Sequence, residues 1–161
     1  MSIVIERYVQ DRQAQVIDLS LKAWSPVFAK MKQAVPAYIY NAFYPRGWEA
    51  RQVSDIEALL RDEAEAVWVA RDDELIVGWV GTRIHHKDSM GEIYILAVDP
   101  ARQREGVAGL LMEAAISVMR DAGMKMVMAE TGGDPGHQSS RATYEKAGFE
   151  RWPVVRYFRQ L

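Results

Sequence analysis

Leu96-Ala97-Val98-Asp99-Pro100, followed after two residues by Gln103-Arg104-Glu105-Gly106-Val107-Ala108, joins a buried type of strand to the most regular helix pattern in the chain. Upstream, Glu92 to Val98 carries Ile93, Tyr94, Ile95, Leu96 and Val98, a nearly continuous apolar run that predicts a central strand covered on both faces. Downstream, Val107, Leu110, Leu111, Ala114, Ala115, Val118 and Met119 fall at i, i+3, i+4, i+7, i+8, i+11 and i+12, which predicts an amphipathic helix closed by Gly123. The first four amides of a helix lack intrahelical partners and carry partial positive charge, so this junction is suited to an anion such as a pyrophosphate. Gly106 and Ala108 keep bulk away from such an anion, and Arg104 can add a charge-assisted hydrogen bond. Taken alone, a Gly-x-Ala helix start is equally well read as a tight strand-to-helix turn.

Working outward, Ile3 to Val9 predicts an opening strand, and Asp11 is placed to cap a helix with Ala14, Ile17, Leu21 and Trp24 on its apolar face. Pro36 and Pro45 interrupt the pattern between Pro26 and Trp48, which predicts irregular, partly helical structure. Glu49 to Glu63 has helical spacing at Val53, Ile56, Leu59 and Leu60. Ala66 to Arg71 and Leu75 to Ile84 flank the polar Asp72-Asp73-Glu74 as a hairpin. Met124 to Glu130 predicts a strand, Ser139 to Ala147 a short helix ended by Gly148, and Phe149 to Phe158 a last strand. The whole, residues 1–161, reads as one α/β domain with a mixed sheet and helices on its faces.

Composition narrows the function classes. The 161 residues carry a net charge of −2 with Lys and Arg dispersed, so no basic face is offered to nucleic acid. Cysteine is absent, which removes disulfides and thiolate chemistry and makes a cytoplasmic location the default. No run approaches the roughly 18 apolar residues of a membrane span, so no membrane association is expected. His85 and His86 are adjacent in a turn-like segment and would point to opposite faces, so no metal site is expected there or elsewhere. Gly-x-x-x-x-Gly-Lys-Ser/Thr is absent and no Gly-x-Gly-x-x-Gly follows a strand, which argues against a nucleotide-binding enzyme.

The Gln/Arg-x-x-Gly-x-Gly/Ala motif at 103–108, behind a strand ending Ala-Val-Asp-Pro, resembles the GNAT superfamily of N-acetyltransferases. Tyr144-Glu145-Lys146-Ala147-Gly148-Phe149 is similar to the Tyr-x-x-x-Gly-Phe segment of the same superfamily. The resemblance covers Glu92 to Phe158, while residues 1–88 carry no comparable signature. It implies a mostly antiparallel sheet of about six to seven strands with a splayed wedge after the central strand. An acceptor-side half would occupy about 1–88 and an acetyl-CoA half about 89–158. It implies acetyl-CoA as cosubstrate, with its pyrophosphate on the amides of Arg104, Glu105, Gly106, Val107, Ala108 and Gly109 beside Gln103. The pantetheine arm would lie along Leu96, Ala97 and Val98. An acceptor amine would attack the thioester directly, through a tetrahedral intermediate. Family habit further implies a homodimer.

Tyr144 matches the family tyrosine that protonates the leaving sulfur, and a phenol of pKa about 10 is protonated at neutral pH; packing against the core is the other reading. Glu92 and Glu130, at the ends of adjacent strands, are the candidate bases, or else solvated carboxylates. His137 stands where many members place an asparagine that contacts coenzyme A; a base and a simple helix-start residue are its other readings. On the acceptor side, five of 16 aromatic residues, including Tyr38 and Tyr44, crowd into positions 38–48. With Trp24 and Phe28 they form either an acceptor wall or core padding beneath a loop. The acceptor itself, a small molecule or a peptide amine, is not specified by these residues. A non-catalytic acyl-CoA sensor of the same fold is the alternative, against which the retention of Tyr144 counts.

Overall fold

The computed structural model describes residues 2–161. Five strands form one sheet in the order β1-β2-β3-β4-β5: β1 Val4–Arg7, β2 Val67–Asp72, β3 Leu75–His85, β4 Met90–Val98 and β5 Met126–Ala129. The first four pair antiparallel, and β5 joins β4 in parallel after a helical crossover. The helices are α1 Gln13–Ala34, α2 Ala37–Phe43, α3 Trp48–Asp62, α4 Val107–Asp121 and α5 Gln138–Lys146.

Alternation along the strands distributes side chains between two cores. Val67, Val69, Trp79 and Ala97 join Val16, Leu19, Ile56 and Leu60 beneath α1 and α3. Trp68, Ala70, Val80, Ile93 and Val98 join Val107, Leu111, Met112, Ala115 and Met119 beneath α4. Each fully buried aliphatic chain here contributes about 1.5–3 kcal/mol relative to exposure. Trp79, fully buried, donates its indole N–H to Ser20 Oγ at 2.8 Å, and Ser20 donates to the Val16 carbonyl at 2.6 Å, so this pair is satisfied, whereas the buried Tyr8 hydroxyl of the same core has no hydrogen-bond partner among the described residues.

Several expectations are corrected. The sheet has five strands, because Phe149–Phe158 forms none: residues 150–161 run without regular structure and are exposed. Asp11 does not cap α1 but sits inside a 3-10 turn, Gln10–Arg12, with no capping bond. α1 runs through Pro26 to Ala34 and ends at the Val35-Pro36 step, where Pro36 was expected to interrupt the pattern. The segment before Trp48 is thus mainly helical, α2 following at once.

The feature that positions the site lies in β4. Gly81 faces Ile95 and Thr82 faces Ile93 across the β3–β4 ladder, so Tyr94 is one residue too many and forms a bulge. Pairing with β5 ends at Ile93–Ala129, whereas β4 runs on to Val98 against β3 alone. Beyond the bulge the two strands part, and the β5-facing edge of Leu96 to Val98 opens into a wedge.

Candidate active site

Two clefts flank the parted segment of β4. The larger, about 880 Å³, has Leu96 and Val98 on one wall, the 102–109 turn and α4 at its end, and α5 opposite. Gln103 to Gly106 are exposed, and two left-handed residues shape the turn: Arg104 at φ 66° and Gly106 at φ 85°, immediately before α4. Gly106 is therefore required by its backbone conformation, because a Cβ there would meet no atom within 4 Å. A side chain would instead project into the cleft mouth, where the unpaired first-turn amides of α4 emerge. Asp99 anchors the preceding turn by accepting from the Ala101 amide at 2.9 Å. Arg102 ties it to the sheet through Asp72 at 2.8 Å and Glu105 at 2.7 Å, and both carboxylates hold its guanidinium above the usual arginine range.

Of the residues marked in the sequence for coenzyme A, Leu96, Val98, Gln103, Arg104, Gly106, Val107, Ala108 and Gly109 all line this cleft. Ala97 points the other way, into the α1–α3 core. Glu105 lies outside the lining and pairs with Arg102. Sequence reading overlooked Ser139, Ser140 and Lys146, which α5 brings to the same wall. The helix was legible, but the orientation of its polar face was not.

Tyr144 lines this cleft as well, packed edge-on to Phe149 with ring centroids 5.4 Å apart. Burial pushes its phenol up to about 12, so the hydroxyl stays protonated at any physiological pH. Core packing and access to the cleft thus coexist in one side chain.

The smaller cleft, about 240 Å³, lies on the α1–α3 side of β4 and includes Trp24, Phe28, Asp55, Tyr94, Ile95 and His137. Tyr94 enters it because the bulge turns that residue out of the ladder, and Arg83 stacks on its ring at 3.5 Å. Phe28 is stacked on Trp48 with centroids 4.6 Å apart and meets Tyr44 edge-on at 5.2 Å, so the aromatic cluster also serves as packing. Tyr38 and Tyr44 are not among the residues lining the cleft. Asp55 and Tyr94 gave no signal in the sequence: one is an ordinary helical carboxylate, and the other is turned out by a bulge whose position within the strand the sequence did not specify.

His137 lines this second cleft and not the larger one, and it stands at the start of α5 as one of its sequence readings had it. Its Nδ1 lies 2.6 Å from Asp134 Oδ1, while Asp134 Oδ2 accepts the Gly136 amide at 2.9 Å. Glu92 makes a 2.6 Å contact with His85 Nε2 and lines neither cleft. Glu130 is exposed at the end of β5, 3.3 Å from Arg156, and lines neither cleft. Among the described residues, no group of three or more His, Asp or Glu is arranged to hold a metal ion.

Comparison with known proteins agrees with this architecture. The mycothiol acetyltransferase of Rhodococcus jostii (strain RHA1) is 30% identical over 119 residues, covering 65% of this chain and 38% of that protein. The chain therefore spans less than two fifths of the length of that curated relative. The paia N-acetyltransferase of Thermoplasma acidophilum, solved in complex with coenzyme A, superposes with a TM-score of 0.70 at 16% identity, covering 96% of this chain and 94% of that one. AAC(6')-Iy, solved with the bisubstrate analogue CoA-S-monomethyl-acetylneamine, superposes with a TM-score of 0.67 at 16% identity, covering 100% and 99%. The sequence model described as the acetyltransferase (GNAT) family matches residues 36–149, most of the chain, and with the bulged β4 and its wedge this places the protein in the GNAT acetyltransferase family.

Proposed function

We propose that this chain transfers the acetyl group of acetyl-CoA to an amine of a small molecule or peptide. The observation that carries the reading is the position of β4 between two clefts, its bulge at Tyr94 and its unpaired edge from Leu96 to Val98. The larger cleft suits the cosubstrate. Its mouth combines first-turn amides, the open space at Gly106 and Gly109, and the cations Arg104 and Lys146, a donor set matched to phosphates. The Leu96–Val98 edge supplies extended backbone for the amide-bearing pantetheine arm and aims it at the bulge. There the acceptor, entering from the smaller cleft, meets the thioester.

Catalysis at this junction is mostly positional, since fixing amine and thioester in line removes much of the entropic barrier. Tyr144 acts on the leaving sulfur. A phenol at about 12 is a weaker acid than an alkyl thiol near 8.5, so its role is a hydrogen bond to the departing thiolate and not full surrender of its proton. The acceptor cleft, with Asp55 beside the rings of Trp24, Phe28 and Tyr94, suits a protonated amine. That the relatives include a mycothiol acetyltransferase and a fold neighbour bound to an acetylneamine analogue supports a small amine carrier as acceptor. Two further expectations go with this reading: a cytoplasmic site of action, supported by the lack of cysteine, and a pair of chains as the working unit, supported by the exposed apolar residues Trp152, Val155 and Tyr157.

Thermal-shift measurements with acetyl-CoA, ATP and NAD test the cosubstrate, because a ligand that binds only the folded state raises the Tm. A rise with acetyl-CoA is expected; a rise with ATP alone would overturn the proposal. Release of free thiol in the presence of a panel of amines then identifies the acceptor.

A further inference from the structure

We propose that His137 is the base that takes the proton from the acceptor ammonium, with Asp134 as the positioning residue that sets its tautomer. The inference rests on the acetyl-transfer reading above and supplies the proton acceptor that reading lacks. Glu92, the first candidate from the sequence, is engaged with His85, and Glu130 lines neither cleft and faces Arg156.

The loop before α5 is built around this pair. Asp134 Oδ1 receives His137 Nδ1–H at 2.6 Å, and its Oδ2 is occupied by the Gly136 amide, so the carboxylate is fixed at both oxygens. Arg141 Nη1 donates to the carbonyls of Gly132 at 2.6 Å and Asp134 at 2.8 Å, clamping the loop from α5. A Cβ on Gly132 would lie 2.3 Å from Asp134 Oδ1 and 2.7 Å from His137 Nδ1, and one on Gly136 would lie 2.5 Å from the Val27 carbonyl of α1. Both glycines are thus needed for the pair to form and to dock on α1. The carboxylate on Nδ1 fixes the tautomer that leaves Nε2 with its lone pair. The ring lines the cleft assigned to the amine, beside Trp24, Phe28 and Asp55.

His137 and Tyr144 stand at the two ends of α5, seven residues apart, about 10 Å of helical rise. They line opposite clefts, one for each partner of the reaction. His137 Nε2 takes one proton of the ammonium. The freed lone pair forms the C–N bond to give a tetrahedral intermediate, whose collapse breaks the C–S bond and leaves its electrons on sulfur. The second amine proton goes to the thiolate, which Tyr144 hydrogen-bonds as it departs. The charged or titratable groups facing His137 are Asp134 and Arg141 from its own loop and helix, Asp55 with Arg51 from α3, Tyr44 from α2, and Arg83 across the Tyr94 ring. Among the described residues of α1, Trp24 and Phe28 line the cleft.

The test uses the full chain, acetyl-CoA, and kanamycin and spermidine as probe amines. His137→Gln is expected to lower kcat about 10²-fold, to leave the acetyl-CoA KM and thermal shift unchanged, and to abolish the acidic limb of the wild-type kcat/KM profile. Asp134→Asn is expected to lower kcat about tenfold and to displace that limb. NMR of the imidazole nitrogens, which needs no turnover, should show the Nδ1–H tautomer in wild type, lost in Asp134→Asn, and an Nε2 shift on adding either amine. Wild-type kcat and limb in His137→Gln, or an Nε2–H tautomer in wild type, would overturn the assignment. Absence of an acetyl-CoA thermal shift in wild type would instead sink the underlying acetyl-transfer reading.

Discussion

At the scale of single residues, Tyr144 carries the leaving-group role of the proposed reaction because its environment, not its type, sets its behaviour. Desolvation pushes the phenol up to about 12, which keeps the donor hydrogen in place on the leaving-group side. Tyr144→Phe is expected to lower kcat about 10²-fold while the acetyl-CoA dissociation constant stays within about twofold, since packing on Phe149 survives the change. Rapid-mixing turnover alongside calorimetric binding separates the two effects. The same shift has a stability consequence. The folded phenol holds its proton to a higher pH than the unfolded one, so its contribution is complete below pH 10 and is lost as pH rises toward 12. That loss is about 2–3 kcal/mol, and urea unfolding should show a smaller alkaline decline for Tyr144→Phe than for the wild type. A parallel decline in both would mean that the phenol is not held in an apolar setting.

Among the elements, α4 and its preceding turn illustrate how local backbone demands become a site. Gly106→Ala keeps every packing contact but forces a Cβ into the left-handed region, at about 1–2 kcal/mol, and sets a methyl group at the mouth of the phosphate end. Weakened acetyl-CoA binding with an unchanged kcat at saturation is the expected result in a titration. In α1, Ser20→Ala removes the acceptor of the Trp79 indole N–H inside the first core; a loss of about 1–3 kcal/mol in urea unfolding is expected although the volume change is small. How far these elements were legible in advance follows from where their determinants lie. The 3.6-residue pattern from Val107 to Met119 and the Gly106 turn are local, so α4 and most of the larger cleft could be read directly. Val16, Leu19 and Ser20 were passed over for Ala14 and Leu21 because the tilt of α1 on the sheet decides which stripe is buried. The bulge at Tyr94 and the seating of His137 in the smaller cleft depend on register and loop docking between distant segments, which no periodicity encodes.

For the molecule as a whole, the unsettled balance is in residues 150–161. Their composition is that of a strand, Trp152-Pro153-Val154-Val155-Arg156-Tyr157-Phe158, yet Trp152 is 88% and Tyr157 91% exposed. Among the described residues, Arg151 pairs with Glu145, Arg156 with Glu130, and Phe158 packs on Phe43, and the two ion pairs are exposed and worth little. Beside it the sheet ends at β5, whose outer edge has no strand partner and whose Met126 is exposed. An open edge next to an uncovered β-prone apolar segment favours association between copies. Such pairing would cover these side chains and brace the Phe158–Phe43 contact. Sedimentation of the full chain at about 50 µM is expected to show a dimer, with a Tm that rises with protein concentration. A chain ending at Phe149 should sediment as a monomer with a concentration-independent Tm, and Trp152→Glu with Tyr157→Glu should reproduce the effect at full length. If the full chain and both variants all sediment as monomers, the exposed segment has no partner in a second copy and the acceptor cleft is complete within one chain.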